Sequence, residues 1–211
     1  MKFFGWGIYK KLRRIKFKIQ LNPPVLDMNE HDTSDYWDTY NGGTTQKLDR
    51  ELHKGEVLAF MIDEEVLRNS VVLDLGCGFG RMNLFYDFKR YFGLDSNERM
   101  LDNAKMLNQE KSNAKFNLGD GRTLKPYPDC FFDVVICSTV MLHLKVKTVK
   151  GYAREVYRVL KSNGIFVVNF PKKRNFNVYR VFSLFKIEPL GDWKKQDDAF
   201  LFRKVVGERL W

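Results

Sequence analysis

Val-Val-Leu-Asp-Leu-Gly-Cys-Gly-Phe-Gly-Arg, residues 71–81, decides how this chain is read. Val71–Leu75 is a short apolar run bounded by glycine, the pattern of a strand buried in a parallel sheet. Gly76, Gly78 and Gly80 then alternate ahead of residues 81–88, which read as a short helix. Glycine lets the backbone turn sharply and lets a ligand approach with no Cβ in the way. In a doubly wound sheet, ligands sit outside the carboxyl ends of the strands, where this turn falls. The plain alternative is a tight strand-to-helix turn with no ligand. Three alternating glycines after a strand carrying Asp74 favour a ligand. A dinucleotide fingerprint needs glycine where Arg81 stands, and a P-loop needs a closing Gly-Lys-Ser/Thr. The spacing therefore suits a ligand without a pyrophosphate.

Working outward, strands and helices alternate. Tyr91–Leu94, Ala114–Leu118, Phe132–Cys137 and Ile165–Phe170 read as strands. Asn97–Asn108 and residues 147–160 read as helices between them. This order predicts a three-layer α/β fold, a doubly wound, mostly parallel sheet of about seven strands. Residues 176–184 read as a helix, with Phe185–Pro189 and Ala199–Val206 as an antiparallel closing hairpin. Residues 47–69 carry helical periodicity. The expected division is residues 1–46 as a basic extension with an aromatic lid segment, and 47–211 as the main domain. Asp95 ends the second strand, 19 residues after Gly76, where a carboxylate can accept both hydroxyls of a ribose. Its alternative is to cap the next helix, for which Ser96 or Asn97 serves as well.

The whole chain has 211 residues, 44% hydrophobic and 29% charged, as in ordinary globular proteins. Its net charge of +10 first suggests nucleic acid or an anionic membrane. The charge is uneven, however. Residues 1–20 hold seven Lys/Arg and no acid; residues 172–211 hold ten Lys/Arg and five acids; the middle has 19 basic and 21 acidic residues. The excess lies in the flanks. No apolar run reaches the roughly 18 residues of a membrane span. Lys10, Lys11, Arg13 and Arg14 occupy the place of a signal peptide's apolar core. Cys77, Cys130 and Cys137 lack CxxC spacing, which fits a reducing, cytoplasmic setting. Three histidines without paired spacing give no zinc site, and no metal is expected.

Several segments in order resemble the class I S-adenosylmethionine-dependent methyltransferases, especially the small-molecule group called type 11. Leu73–Arg81 is similar to their first motif, and Gly93-Leu94-Asp95-Ser96 to the end of their second strand. Met100-Leu101 with Ala104 matches the following helix, and Gly119-Asp120-Gly121 the acidic turn beside the adenine. Phe131–Val135 resembles their fourth strand, and Arg158–Gly164 the approach to the fifth, with Ser162-Asn163 in place of Pro-Gly. The resemblance covers about half the chain. It implies a Rossmann-like methyltransferase fold and S-adenosylmethionine as cofactor. It implies that Asp74, Gly76, Cys77, Gly78 and Gly80 surround the methionine moiety, and that Asp95 with Ser96 holds the ribose. Asp120 and Gly121 would meet the adenine, with Met100 and Leu124 as apolar walls or ordinary core. Ser138 would lie under the cofactor.

Methyl transfer from a sulfonium needs the acceptor in line with the methyl–sulfur bond. A base is needed only when the acceptor must lose a proton. His143, after the fourth strand, is the candidate base or orienting group, with helix packing as its alternative. The base-directed Asn/Asp-Pro-Pro-aromatic motif does not occur there. Tyr36 and Tyr40, beside Trp37, are candidates to reach the cofactor carboxylate from a lid, or simply to pack it. Residues 1–20 are open to three readings: a solvated extension, a peripheral membrane contact, or an arm for RNA phosphates. The expected activity is methyl transfer to a small-molecule, glycan or lipid-linked acceptor. An RNA methyltransferase and a non-catalytic cofactor-binding protein are the alternatives.

Overall fold

The computed structural model describes residues 62–141, 144–169, 178–188 and 199–205. The elements in chain order are α1 (Glu64–Arg68), β1 (Val71–Leu75), α2 (Arg81–Phe85), β2 (Arg90–Asp95) and α3 (Glu98–Leu107). They continue with β3 (Ala114–Leu118), β4 (Phe132–Cys137), α4 (Val146–Val159) and β5 (Leu160–Asn169). The tail adds α5 (Val178–Val181), β6 (Lys186–Glu188) and β7 (Ala199–Arg203).

Seven strands form one sheet in the order β3-β2-β1-β4-β5-β7-β6. The first five run parallel, and β7 is antiparallel to both β5 and β6. The expected doubly wound sheet with an antiparallel closing hairpin is what forms. The strand order reverses between β1 and β4. That is the switch point where crossing connections diverge and leave a crevice at the carboxyl ends.

Alternation along the strands sends side chains to two cores. Leu73, Leu75, Phe92, Leu94, Val135 and Cys137 join the larger one. Helix α4 covers it with Val149, Tyr152, Ala153, Val156 and Val159, a stripe at helical spacing. Full burial of each large apolar side chain contributes about 1.5–3 kcal/mol. On the opposite face, Val72, Tyr91, Val134, Ile136 and Val167 pack with Met82, Tyr86 and Phe88. The tail is anchored by aromatic contacts, with the Phe182 and Phe202 rings 4.8 Å apart and Phe166 5.7 Å from Phe182.

Several boundaries differ from the sequence expectation, two of them for a clear local reason. The helix expected over 81–88 stops at Phe85, because Tyr86 is extended and buries its ring with Phe88 in the second core. Strand five starts at Leu160, which pairs with Phe132. The chain then bulges and resumes pairing at Ile165 opposite Val134; Asn163 within the bulge has φ 62°. Strand seven ends at Arg203. Of the helix expected over 47–69, residues 62–69 are described, and there the helix is not continuous: it starts at Glu64, because non-helical Asp63 caps it by accepting from the Glu65 N–H, and it ends at Arg68. The 1–46 extension, Tyr36, Tyr40 and His143 lie outside them. Among the described residues, no helix is long and apolar enough to cross a membrane.

Candidate cofactor site

The glycine turn is built by β1 ending beside β2. The Leu94 carbonyl accepts from the N–H groups of Gly76 at 2.7 Å and Cys77 at 3.1 Å, which bends the chain sharply off the sheet. Gly76, Gly78 and Gly80 have φ of 75°, 53° and 73°, the left-handed region that other residues enter at a cost. Their surroundings differ. A Cβ on Gly76 would collide with the Val140 side chain, and one on Gly80 would lie 2.7 Å from the Phe116 ring. A Cβ on Gly78 would meet nothing within 4 Å. Two of the glycines are required by packing. The middle one faces open space, where the missing Cβ lets a ligand approach the turn.

Asp95 closes that turn from the end of β2. One oxygen accepts from the Gly78 N–H at 2.8 Å, the other from the Asn97 N–H at 2.9 Å. Burial pushes its carboxyl above the ordinary value, opposed by the N–H groups of Asn97, Gly78 and Ser96. Each carboxylate oxygen has a second lone pair, so both retain capacity for a diol. Asn97 caps α3, accepting from the Met100 N–H at 3.0 Å. The capping role is thus filled without Asp95. Ser96 and Met100 are half-buried beside it.

The Asp120 turn stands next to this carboxylate, because the Gly119 N–H donates to the Asp95 carbonyl at 2.8 Å. Asp120 accepts from the N–H groups of Arg122 (2.8 Å) and Thr123 (2.6 Å) and from the Thr123 hydroxyl (2.6 Å). Slight burial would raise its carboxyl; the Thr123 hydroxyl and N–H, the Arg122 N–H and the Lys125 charge outweigh this and hold it below the ordinary value. It therefore stays an ionised acceptor at neutral pH. Gly121 has φ 69°. Leu124 is fully buried in the larger core, so it is core.

Asp74 lies beneath the turn. It is 2% exposed and accepts from the Tyr91 hydroxyl at 2.6 Å. Burial pushes its carboxyl up to about 6, opposed by the Tyr91 hydrogen bond and the Arg81 charge. Its direct contact is Tyr91, and any influence on a ligand passes through the turn above it. Cys77 is buried, and burial pushes its thiol well up. Ser138, also buried, directly follows β4.

Two residues that the sequence reading did not single out shape the wall opposite. Thr139 has φ 60°, a strained position for a β-branched residue. Its N–H donates to the Asn169 side chain at 2.6 Å, and its hydroxyl donates to the Ser138 carbonyl at 2.7 Å. Strain of this kind concentrates at functional sites. Asn169 interrupts an apolar strand end, which was a usable signal; nothing in a threonine announces a left-handed backbone. Val140 then packs on Gly76. Asp95, Asp120, the open glycine and this neutral wall all stand at the carboxyl ends of β1 to β5. These groups fit S-adenosylmethionine: acids that accept from the ribose and the adenine amino group, and a turn without a Cβ for the methionine end. A separate cleft of about 620 Å³ opens at the other end of the strands, among Asp63, Asn69, Ser70, Asp133, Lys161 and Arg203.

Comparisons with known proteins agree with this geometry. A family described as "Methyltransferase domain" matches residues 73–168. A protein of Encephalitozoon cuniculi carrying a provisional methyltransferase name is 33% identical over 163 residues, 75% of this chain and 73% of its own. The chain spans 63% and 28% of the lengths of two other curated relatives. Among solved structures, a TehB-like SAM-dependent methyltransferase from Corynebacterium glutamicum shares the fold at a TM-score of 0.59, with 20% identity, covering 76% of this chain and 97% of its own. The phosphoethanolamine N-methyltransferase 1 of Haemonchus contortus, solved with phosphoethanolamine and S-adenosylhomocysteine, superposes at 0.58 with 16% identity, over 80% of this chain and 45% of its own. By its matched relative, its ordered motifs and its sheet, the chain belongs to the class I S-adenosylmethionine-dependent methyltransferases.

Proposed function

We propose that the acceptor is a small molecule, free or carried on a lipid or glycan, methylated on oxygen, nitrogen or carbon. The observation that carries this reading is the wall at the carboxyl ends of β4 and β5, whose Val140 packs on Gly76. It is compact and neutral, built by Ser138, Thr139, Val140 and Asn169. It holds no base-directed Asn/Asp-Pro-Pro-aromatic sequence. The phosphoethanolamine enzyme with the same fold acts on a small acceptor, which supports the reading.

When bound, S-adenosylmethionine supplies the activated methyl group. The chain's residues supply position. Asp95, pinned by the N–H groups of Gly78 and Asn97, accepts from ribose hydroxyls. Asp120 accepts from the adenine amino group. The half-buried Gly78, with no Cβ over the turn, admits the methionine end. Holding both reactants in line is worth several kcal/mol of the barrier. His143 would take or orient an acceptor proton where the acceptor is an alcohol or ammonium.

The test is transfer of methyl-labelled S-adenosylmethionine into fractionated small-molecule, lipid and RNA pools, with Asp95→Ala as the inactive control. Label in the small-molecule or lipid fraction is expected. Label confined to RNA would overturn the reading. RNA is the second reading because Lys147, Lys150 and Arg154 line one exposed face of α4.

A further inference from the structure

The connection from β3 to β4, residues 119–131, has no regular structure of its own and is long for a loop in an α/β unit. It carries Asp120 and Gly121. Such a segment holds one geometry only if its backbone groups find fixed partners. Its start is fixed by the Gly119 bond to Asp95, and its end by Cys130 and Phe131 N–H groups donating to the carbonyls of Arg158 and Val159 at 3.0 and 2.7 Å. The middle is fixed by two side chains of α4. A Glu155 oxygen accepts from the Leu124 N–H at 2.8 Å. The Arg158 guanidinium donates to the Leu124 carbonyl at 3.0 Å, the Tyr127 carbonyl at 2.9 Å and the Asp129 carboxylate at 2.7 Å. Glu155 and Arg158 also bind each other through two bonds, of 2.9 and 3.0 Å.

From this clamp we infer that Glu155 and Arg158 are positioning residues for adenine recognition. The inference rests on the reading of Asp120 as the acceptor for the adenine amino group. Leu124 directly follows Thr123, whose N–H and hydroxyl hold both oxygens of Asp120. Gripping both backbone groups of Leu124 therefore sets where the Asp120 carboxylate stands relative to α4 and the sheet. Glu155 is three-quarters buried and Arg158 about seven-tenths. A planar fork is needed to reach three oxygens of the loop while pairing with Glu155, which a lysine cannot do.

The readout is discrimination at the purine 6-position. Calorimetry on the full chain compares S-adenosylhomocysteine, which has an amino group there, with S-inosylhomocysteine, which has a carbonyl. Asp120→Ala should collapse the preference for the amino form. Glu155→Ala and Arg158→Ala should each reduce it about tenfold. Glu155→Gln, which keeps an oxygen for the Leu124 N–H, should recover much of it, and Arg158→Lys only part. Lys161→Ala breaks the 2.7 Å pair with Asp133 at the other end of the sheet and should leave the preference unchanged. If Asp120→Ala collapses the preference while folded Glu155→Ala and Arg158→Ala keep it, the inference is overturned and the adenine reading stands. If Asp120→Ala keeps the preference, the adenine reading itself fails. Should an alanine variant not fold, Glu155→Gln and Arg158→Lys carry the same comparison.

Discussion

At the scale of single residues, the three glycines of one turn separate into two kinds. Gly76→Ala should cost folding stability outright, because its methyl collides with Val140. Gly78→Ala pays only for its φ of 53°, about 1–2 kcal/mol. Its methyl would project into the open space over the turn, where the cofactor is proposed to sit. The expected outcome is a folded Gly78→Ala protein with S-adenosylmethionine binding weakened more than tenfold, and a clearly lower Tm for Gly76→Ala. Calorimetry and thermal melting read the two effects separately. Asp74 makes a prediction in pH. Its folded-state carboxyl titrates near 6 and its ordinary value is 3.8. As pH rises from about 4 to about 6 the unfolded chain ionises first, so this group withdraws up to about 3 kcal/mol of native stability across that window. Asp74→Asn should therefore match the parent near pH 4 and gain on it as pH rises to 7, read as Tm against pH. A Tm difference constant across the window would contradict the assignment. The positions of the glycine turn, Asp95 and Asp120 were legible in the sequence because residue type and spacing mark them. The Tyr91 partner of Asp74 was not, since residues far apart in sequence meet only once the strands pair.

At the scale of elements, periodicity predicted β3 and β4 to the residue and α4 to within a residue at each end. In β4 and α4 a buried face runs along the element. Periodicity erred where tertiary packing took over. Tyr86 leaves the helix to fill a core, and Leu160 joins the sheet before the bulge that the Ser162-Asn163-Gly164 turn signals marked. The carboxyl ends of β4 and β5 are joined by the Thr139 N–H bond to Asn169. Asn169→Ala leaves that partly buried donor without its acceptor and removes support from a strained backbone. A loss of about 1–3 kcal/mol in denaturant titration is expected, together with a fall in kcat larger than any change in cofactor affinity. Unchanged kcat would show that the left-handed Thr139 turn takes no part in shaping the acceptor wall.

At the scale of the whole molecule, strand order was legible only as alternation. Alternation with right-handed crossovers yields the parallel sheet, and β7 inserts between β5 and β6 because its apolar residues complete the tail's aromatic core. The charge distribution makes the last prediction. The +7 of residues 1–20 stands apart from the near-neutral segment that carries the site. If that segment serves as a membrane contact, its deletion should abolish co-sedimentation with anionic vesicles and leave S-adenosylhomocysteine binding intact, with salt weakening the vesicle contact first. Loss of sedimentation with RNA instead would assign the charge to phosphates. The reversal of strand order between β1 and β4 has a consequence of its own. The glycine turn, Asp95 and Asp120 come from one contiguous stretch, β1 to the β3–β4 loop, on one side of that line. The wall offered to the acceptor comes from the other side, at the ends of β4 and β5. The two halves of the sheet pair along a single row, β1 against β4, and the Glu155–Arg158 clamp ties the β3–β4 loop to the second half. Acceptor choice can therefore drift by substitution at the ends of β4 and β5, provided the clamp on α4 is kept.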